Sequence, residues 1–203
     1  MPEIAERQFY RYDQLSAEAK AKAREEWREQ TRGDPCDDLE EWLNTDLEDH
    51  FGITDSKVYY SLGHCQGDGA CFEGTPDLDR WAATDPELAE LLLVCRASAL
   101  MLGFDEPDLH CSVKHTDRHY YHWNTMDVSV EWCNWPGNDP GNDEVSLLVS
   151  EIEHYCDEAA KDIGRKLAGI GYDEIESRDS DEYIDEYLDG TEYEWTRQGE
   201  FEN

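Results

Sequence analysis

The sequence predicts an α+β fold: an antiparallel sheet of about four strands, helices packed on one face, and acidic helices at the surface. Three observations lead there. Along the chain the order is helices, strands, helix, strands, helices. The central stretches alternate with the period of half-buried strands. Hydrophobic residues make up 38% of the 203 positions and aromatics 11%, with seven Trp and eleven Tyr, so core-formers are too abundant for a disordered chain. A chain of this size suits one α+β domain over 1–203. It divides into an N-terminal helical segment (8–50), a sheet-containing core (56–135) and C-terminal helices (143–203).

"QFYRYDQL" (8–15) begins as a short strand-like or extended stretch, and Ser16 then caps "AEAKAKAREEWREQ", a run of strong helix formers. "GDP" (33–35) breaks that helix. Helical spacing resumes over 37–50, with Leu39, Trp42, Leu43 and Leu47 on one face and carboxylates around the rest. "SKVYYSLG" (56–63) sets Val58, Tyr60 and Leu62 against Tyr59 and Ser61, the alternation of a strand. A Pro/Asp-rich connection then leads to a helix over about 86–103. "DLHCSVKHT" (108–116) and "YYHWNTMDVSVEWCNW" (120–135) read as consecutive antiparallel strands, and "PGNDPGND" (136–143) as a loop. A long helix spans about 143–168. "DSDEYIDEYLDG" makes a short acidic helix ending at Gly190, and "TEYEWTRQGEF" an extended terminal segment.

Fifty Asp and Glu against seventeen Lys and Arg give a net charge of −33. Such a chain is repelled by DNA, RNA and anionic membranes and drawn to basic surfaces. The expected partner is a basic protein, with no direct nucleic-acid contact and no membrane. No early apolar run resembles a secretory leader, and "LAELLLVCRASALMLGF" (88–104) carries Glu90 and Arg96 and is too short to cross a bilayer. Seven scattered cysteines do not form the even, dense framework of a small secreted domain, which predicts reduced thiols.

The acid comes in two blocks interleaved with Trp, Leu, Ile and Tyr, as on the faces of folded elements. The first supplies Asp37, Asp38, Glu40, Glu41, Asp46, Glu48 and Asp49 as candidate partner-binding residues. The second supplies Asp179, Asp181, Glu182, Asp185, Glu186 and Asp189. DNA-binding proteins gain affinity by neutralising phosphates with Lys and Arg. Carboxylates held at comparable density on a rigid fold therefore compete for the same basic groove. The competing reading is a solvated face that confers solubility or adapts the protein to high salt.

"SLGHCQGDGACFEG" (61–74) raises three chemistries. Strand, then "QGDGA", then "CF" is the pattern of a β-hairpin, because Asp-Gly tolerates the positive φ of tight turns. A phosphate cradle requires a lysine after the glycines or a GxGxxG opening a helix, and neither follows. A calcium loop fails because Asp68 lacks acidic partners two and four residues on. Zinc ligands of suitable softness exist in His64, Cys65, Cys71, His110 and Cys111, with His115, His119 and His122 nearby, but without CxxC or HExxH spacing. No metal or cofactor is assigned, and no catalytic residue.

"FYRYDQLSAEAKAKAREEW" (9–27), "QGDGACFEG" (66–74) and "DEYIDEYLDGTEYEWTRQGEF" (181–201) together resemble a family of acidic proteins encoded by tailed phages and prophages. That family has a Y-x-F/Y-D-x-L-S entry before an AK-rich helix and an EYxFTxxG ending. Trp195 stands here where the ending usually has Phe. The resemblance implies a phage-derived protein acting in the host bacterial cytoplasm, and it carries no activity. By analogy with small acidic phage proteins that imitate nucleic acid, the expected function is a non-enzymatic inhibitor of a host defence or DNA-processing protein. Two alternatives stand beside it: an antitoxin-like or regulatory module binding one basic protein through an aromatic patch, and a metal-dependent enzyme on the His/Cys strands.

Overall fold

The computed structural model describes residues 9–31, 38–63, 65–103, 107–117, 119–134 and 143–201. Among them, in order, are a 3-10 turn Tyr12–Gln14, α1 Ala17–Thr31, α2 Leu39–Asp49, β1 Ile53–Ser61, β2 Gly69–Pro76, α3 Leu78–Ala82 and α4 Pro86–Met101. There follow β3 Leu109–His115, a 3-10 turn Trp123–Thr125, β4 Met126–Trp132, α5 Asp143–Arg178 and α6 Asp181–Gly190. The fold is mixed α+β, with one four-stranded antiparallel sheet in the order β1-β2-β3-β4. The chain forms two compact units, Asp37–Gly171 and the pairing of Met1–Cys36 with Tyr172–Asn203, so the sequential three-part division does not coincide with the compact units. The "GDP" break and the "PGND" loop lie outside the described residues.

In the first unit the register sets Val58 opposite Phe72, Gly74 opposite Val113, Val113 opposite Val128 and Cys111 opposite Val130. Apart from the glycine these side chains are buried, while the alternate positions Lys57, Lys114, Asp127 and Glu131 are exposed. Period-two alternation thus separates a helix-covered face from a polar one. On α2, Leu39, Leu43 and Leu47 recur at i, i+4 and i+8 and are fully buried, and Asn44 Oδ1 accepts the Val58 N–H at 3.1 Å. On α5, Val145, Ile152, Cys156, Ala160, Ile163 and Leu167 are buried, and Glu153 Oε2 accepts the Val130 N–H at 3.0 Å.

The Pro/Asp-rich connection contains α3. Asp77 caps it by accepting Arg80 N–H at 3.1 Å, and Trp81 Nε1 donates to Phe51 O at 2.7 Å. Two expectations need correction. The strand at 120–135 is shorter: residues 120–125 form a loop and a 3-10 turn in which Thr125 O accepts the Thr116 N–H at 2.9 Å. The helix at 143–168 runs ten residues further, to Arg178. Gly169 and Gly171 mark a poor helix former in the sequence. Packing overrides that cost, since a Cβ at Gly171 would meet Leu62 Cδ1 at 2.5 Å.

In the second unit Ser16 Oγ accepts the Ala19 N–H at 3.2 Å and starts α1. Ala19 and Ala23, four residues apart, join Tyr12, Leu15, Ile184, Leu188 and Trp195 in one buried cluster. Tyr10 and Trp195 exchange backbone hydrogen bonds of 2.9 Å in both directions, so the extended terminal segment is tied to the chain's entry. The Trp195 ring meets Tyr12 edge-on at 6.1 Å and Phe201 at 5.5 Å.

Gly164 and Gly169 sit on the same helix in opposite circumstances. A Cβ at Gly164 would stand 2.8 Å from Trp123 Cβ and 3.0 Å from Ala70 O, whereas nothing lies within 4 Å of one at Gly169. Gly164→Ala should destabilise the protein by about 1–3 kcal/mol. Gly169→Ala should leave stability unchanged or raise it by up to about 1 kcal/mol. Urea denaturation of the two variants tests the pair, and equal behaviour would contradict the packing described.

Candidate partner-binding surfaces

Burying Leu39, Leu43 and Leu47 turns the rest of α2 outward. Asp38, Glu40, Glu41, Glu48 and Asp49 are exposed and make no ion pair among the described residues. Asp46 is half-buried and pairs with His50 Nδ1 at 3.1 Å. Trp42, expected on the apolar face, is 49% exposed and stands among the carboxylates. Asp37 lies outside the described residues.

The second block behaves differently. Ile184 and Leu188 bury one side of α6, and Ser180 Oγ caps it by accepting Tyr183 N–H at 3.2 Å. Asp181 and Asp185 are engaged within the unit. Arg24 grips Asp185 bidentately, Nε to Oδ1 at 2.7 Å and Nη2 to Oδ2 at 2.8 Å, and its Nη1 reaches Asp181 Oδ2 at 2.6 Å. Arg28 also pairs with Asp181, and Tyr12 Oη donates to Asp185 Oδ1. The Asp179 carbonyl accepts Arg28 Nε at 2.9 Å. The outward carboxylates are Glu182, Glu186 and Asp189, at i, i+4 and i+7, with Asp179 exposed nearby.

The zinc candidates disperse. His64 lies outside the described residues, Cys65 and His110 are exposed, and Cys71 and Cys111 are buried. The described residues contain no group of three His, Cys, Asp or Glu placed to hold a metal. The neighbouring Cys111 thiol, and then burial, hold the Cys156 thiol well above the ordinary value. Burial pushes Cys71 up to about 11. Such thiols stay protonated at neutral pH and make poor nucleophiles.

The glycine-rich stretch is a hairpin turn. Asp68 organises it, accepting Cys65 N–H at 2.5 Å and Ser61 Oγ–H at 2.7 Å. Gly67 sits at φ 91°, and a Cβ there would collide with the Tyr120 ring.

Two surfaces were missed from the sequence. Tyr59, His115 and Tyr121 form an aromatic cluster on the sheet unit, with ring centroids 4.9–5.9 Å apart. A groove of about 610 Å³ runs between α4 and α5, lined by Leu91, Val94, Leu147 and Tyr155. Its signal in the sequence is the most apolar run in the chain, which reads there as a helix over about 86–103 too short to cross a bilayer. No helix among the described residues is long and apolar enough to cross a membrane.

Ionisation ties the second unit's stability to pH at both extremes. The ion pair with Arg24 holds Asp185 below the ordinary carboxylate range. Its contribution is complete above the unfolded value, about 3.9, and is lost as pH falls through the lower folded one. Burial, with the hydrogen bond to Asp185, raises Tyr12 from 10.0 to about 12. That contribution is complete below pH 10.0 and disappears as pH rises through about 12. Asp185→Asn should cost about 1–2 kcal/mol at neutral pH and flatten the acid limb. Tyr12→Phe should flatten the alkaline limb. Urea midpoints measured against pH read both, and unchanged limbs would contradict the assignment.

Residues 37–185 match a family model described as a domain of unknown function, DUF8835; the match begins with the sheet unit and ends within α6. No protein of curated function and no solved structure matches the chain. With well over half of its length matched, the chain belongs to the DUF8835 family.

Proposed function

We propose that the protein is a non-enzymatic inhibitor that occupies the basic nucleic-acid groove of a protein target, its fixed carboxylates standing in for phosphates. The observation that supports this best is the outward face of α2. Asp38, Glu40, Glu41, Glu48 and Asp49 are exposed within twelve residues of an ordered helix start and body, with the half-buried Asp46 between them. At 1.5 Å rise per residue that is about one carboxylate per 3 Å, close to the roughly 3.4 Å between phosphates along one DNA strand. The outward stripe Glu182, Glu186 and Asp189 adds a second such face, argued separately from the first.

A solubility role needs charge but no order, whereas these carboxylates are fixed by buried leucines on one helix and by Ile184 and Leu188 on the other. The resemblance of both chain ends to tailed-phage proteins gives the setting: a host bacterial cytoplasm and a host defence or DNA-processing protein as the target. The aromatic-interface reading gains from the Tyr59, His115 and Tyr121 cluster, and salt separates the two. A phosphate surrogate weakens steeply as salt rises, while an aromatic contact barely changes.

The test is affinity capture of partners from bacterial lysate, eluted first with duplex DNA and then with rising salt. A nucleic-acid-binding protein released by duplex DNA is the expected result. With that partner purified, Glu40→Gln/Glu41→Gln/Glu48→Gln and Glu182→Gln/Glu186→Gln/Asp189→Asn are measured separately. At least one should weaken binding by about tenfold or more, roughly 1.4 kcal/mol, without unfolding. Asp181 and Asp185 are left intact, because changing them breaks the Arg24 and Arg28 pairs. A partner that withstands both DNA and high salt, or full affinity in both variants, would overturn the proposal.

A further inference from the structure

α4 is apolar on almost every side. Leu88, Leu92, Cys95 and Ala99 face the core and are buried, yet Leu93 is 68% exposed, Val94 41%, Leu100 59% and Met101 89%. On α5, Leu147 is 65% exposed and faces the same groove as Val94. A helix apolar all round belongs in an interior, and a contiguous apolar surface on a heavily charged protein marks an interaction site. The groove between the two helices has an aliphatic and aromatic floor, Leu91, Val94, Leu147 and Tyr155, and an acidic rim, Glu87, Glu90 and Glu151. Among the described residues no Lys or Arg lines it.

We infer that this groove receives a cationic amphipathic helix of a partner protein. Charge complementarity selects the occupant. The apolar floor asks for Leu-like anchors at i, i+3/i+4 and i+7, and three carboxylates at the rim ask for flanking Lys or Arg. A second copy of this chain would bring the same carboxylates rim to rim in a molecule of net charge −33, which opposes self-association. The lining stretch of α4, Glu87 to Val94, gives a seat about 12 Å long, enough for roughly two turns of a partner helix. The site is distinct from the outward faces of α2 and α6 and does not require nucleic-acid mimicry.

The probe is a fluorescein-labelled Leu/Lys peptide of about 18 residues with one continuous apolar face, titrated with the full chain and read by anisotropy. Its controls are a scrambled peptide of equal composition and charge and the corresponding Leu/Glu peptide. The decisive variant is Leu147→Glu, at an exposed position, with circular dichroism to check folding. The added negative charge strengthens purely electrostatic capture of a cation but spoils an apolar seat. The expected result is about tenfold or greater loss of affinity in Leu147→Glu and at least as weak binding of the scrambled peptide. The variant Glu40→Gln/Glu41→Gln/Glu48→Gln should stay within about threefold of the parent. Equal or tighter binding by Leu147→Glu, equal binding of the scrambled peptide, or a dimer in sedimentation that Leu147→Glu dissociates would each overturn the inference. None of these outcomes bears on duplex-DNA elution, so this proposal and nucleic-acid mimicry fail separately.

Discussion

Like-charge repulsion is the constraint that organises the molecule. With fifty acidic and seventeen basic residues, most carboxylates have no cation to meet, and two carboxylates 4 Å apart repel by about 1 kcal/mol even in water. The described core contains no buried polar or charged residue, so carboxylates stay at the surface or half-buried. Cations are used where acidic side chains approach one another. Lys161 sits between Asp157 and Glu158, 2.5 Å and 3.0 Å away, and Arg24 bridges Asp181 and Asp185. Arg24 and Arg28 of α1 meet Asp181 and Asp185 of α6, whereas Asp38, Glu40, Glu41, Glu48 and Asp49 make no ion pair among the described residues. Surface pairs are usually weak, but the fork of Arg24 on Asp185 has the geometry that makes one count.

How far sequence could be read depended on the range of the interactions. The leucine spacing of α2, the Ser16 cap of α1, the 61–74 hairpin and the Gly190 end of α6 are set within a few residues, and all four follow from local chemistry. The continuation of α5 through Gly169 and Gly171 depends on Leu62, more than a hundred positions away, and helix propensity argued the other way. The 120–125 segment has strand-forming residues but gives its rings to a loop packed over the hairpin. Arg24 and Asp185 are 161 positions apart, so periodicity could not show that part of the second acidic block is structural. The α4 groove was visible only as hydropathy, whose usual meaning in a long apolar run is a membrane.

The segments 9–27, 66–74 and 181–201 have mainly architectural tasks in this structure. Tyr12, Leu15 and Trp195 are core residues of the unit built from the two chain ends, Ser16 is a helix cap, and Gly67 and Asp68 shape a turn. An aromatic at 195 is required because its ring fills the space between Tyr12 and Phe201. Such positions report how the chain folds. The proposed contact residues of α2 and of the α4 groove lie elsewhere, while Glu182, Glu186 and Asp189 lie on the outward face of the last segment.

The hydrogen bonds from Val58 and Val130 narrow the ways this protein can be recognised. Both N–H groups point away from the neighbouring strand on the outermost strands of the sheet, and both are taken by side chains, Asn44 on one border and Glu153 on the other. An extended peptide that tried to join the sheet as a fifth strand would have to evict an amide at one side and a carboxylate at the other. Docking by strand addition is therefore opposed at one position on each border.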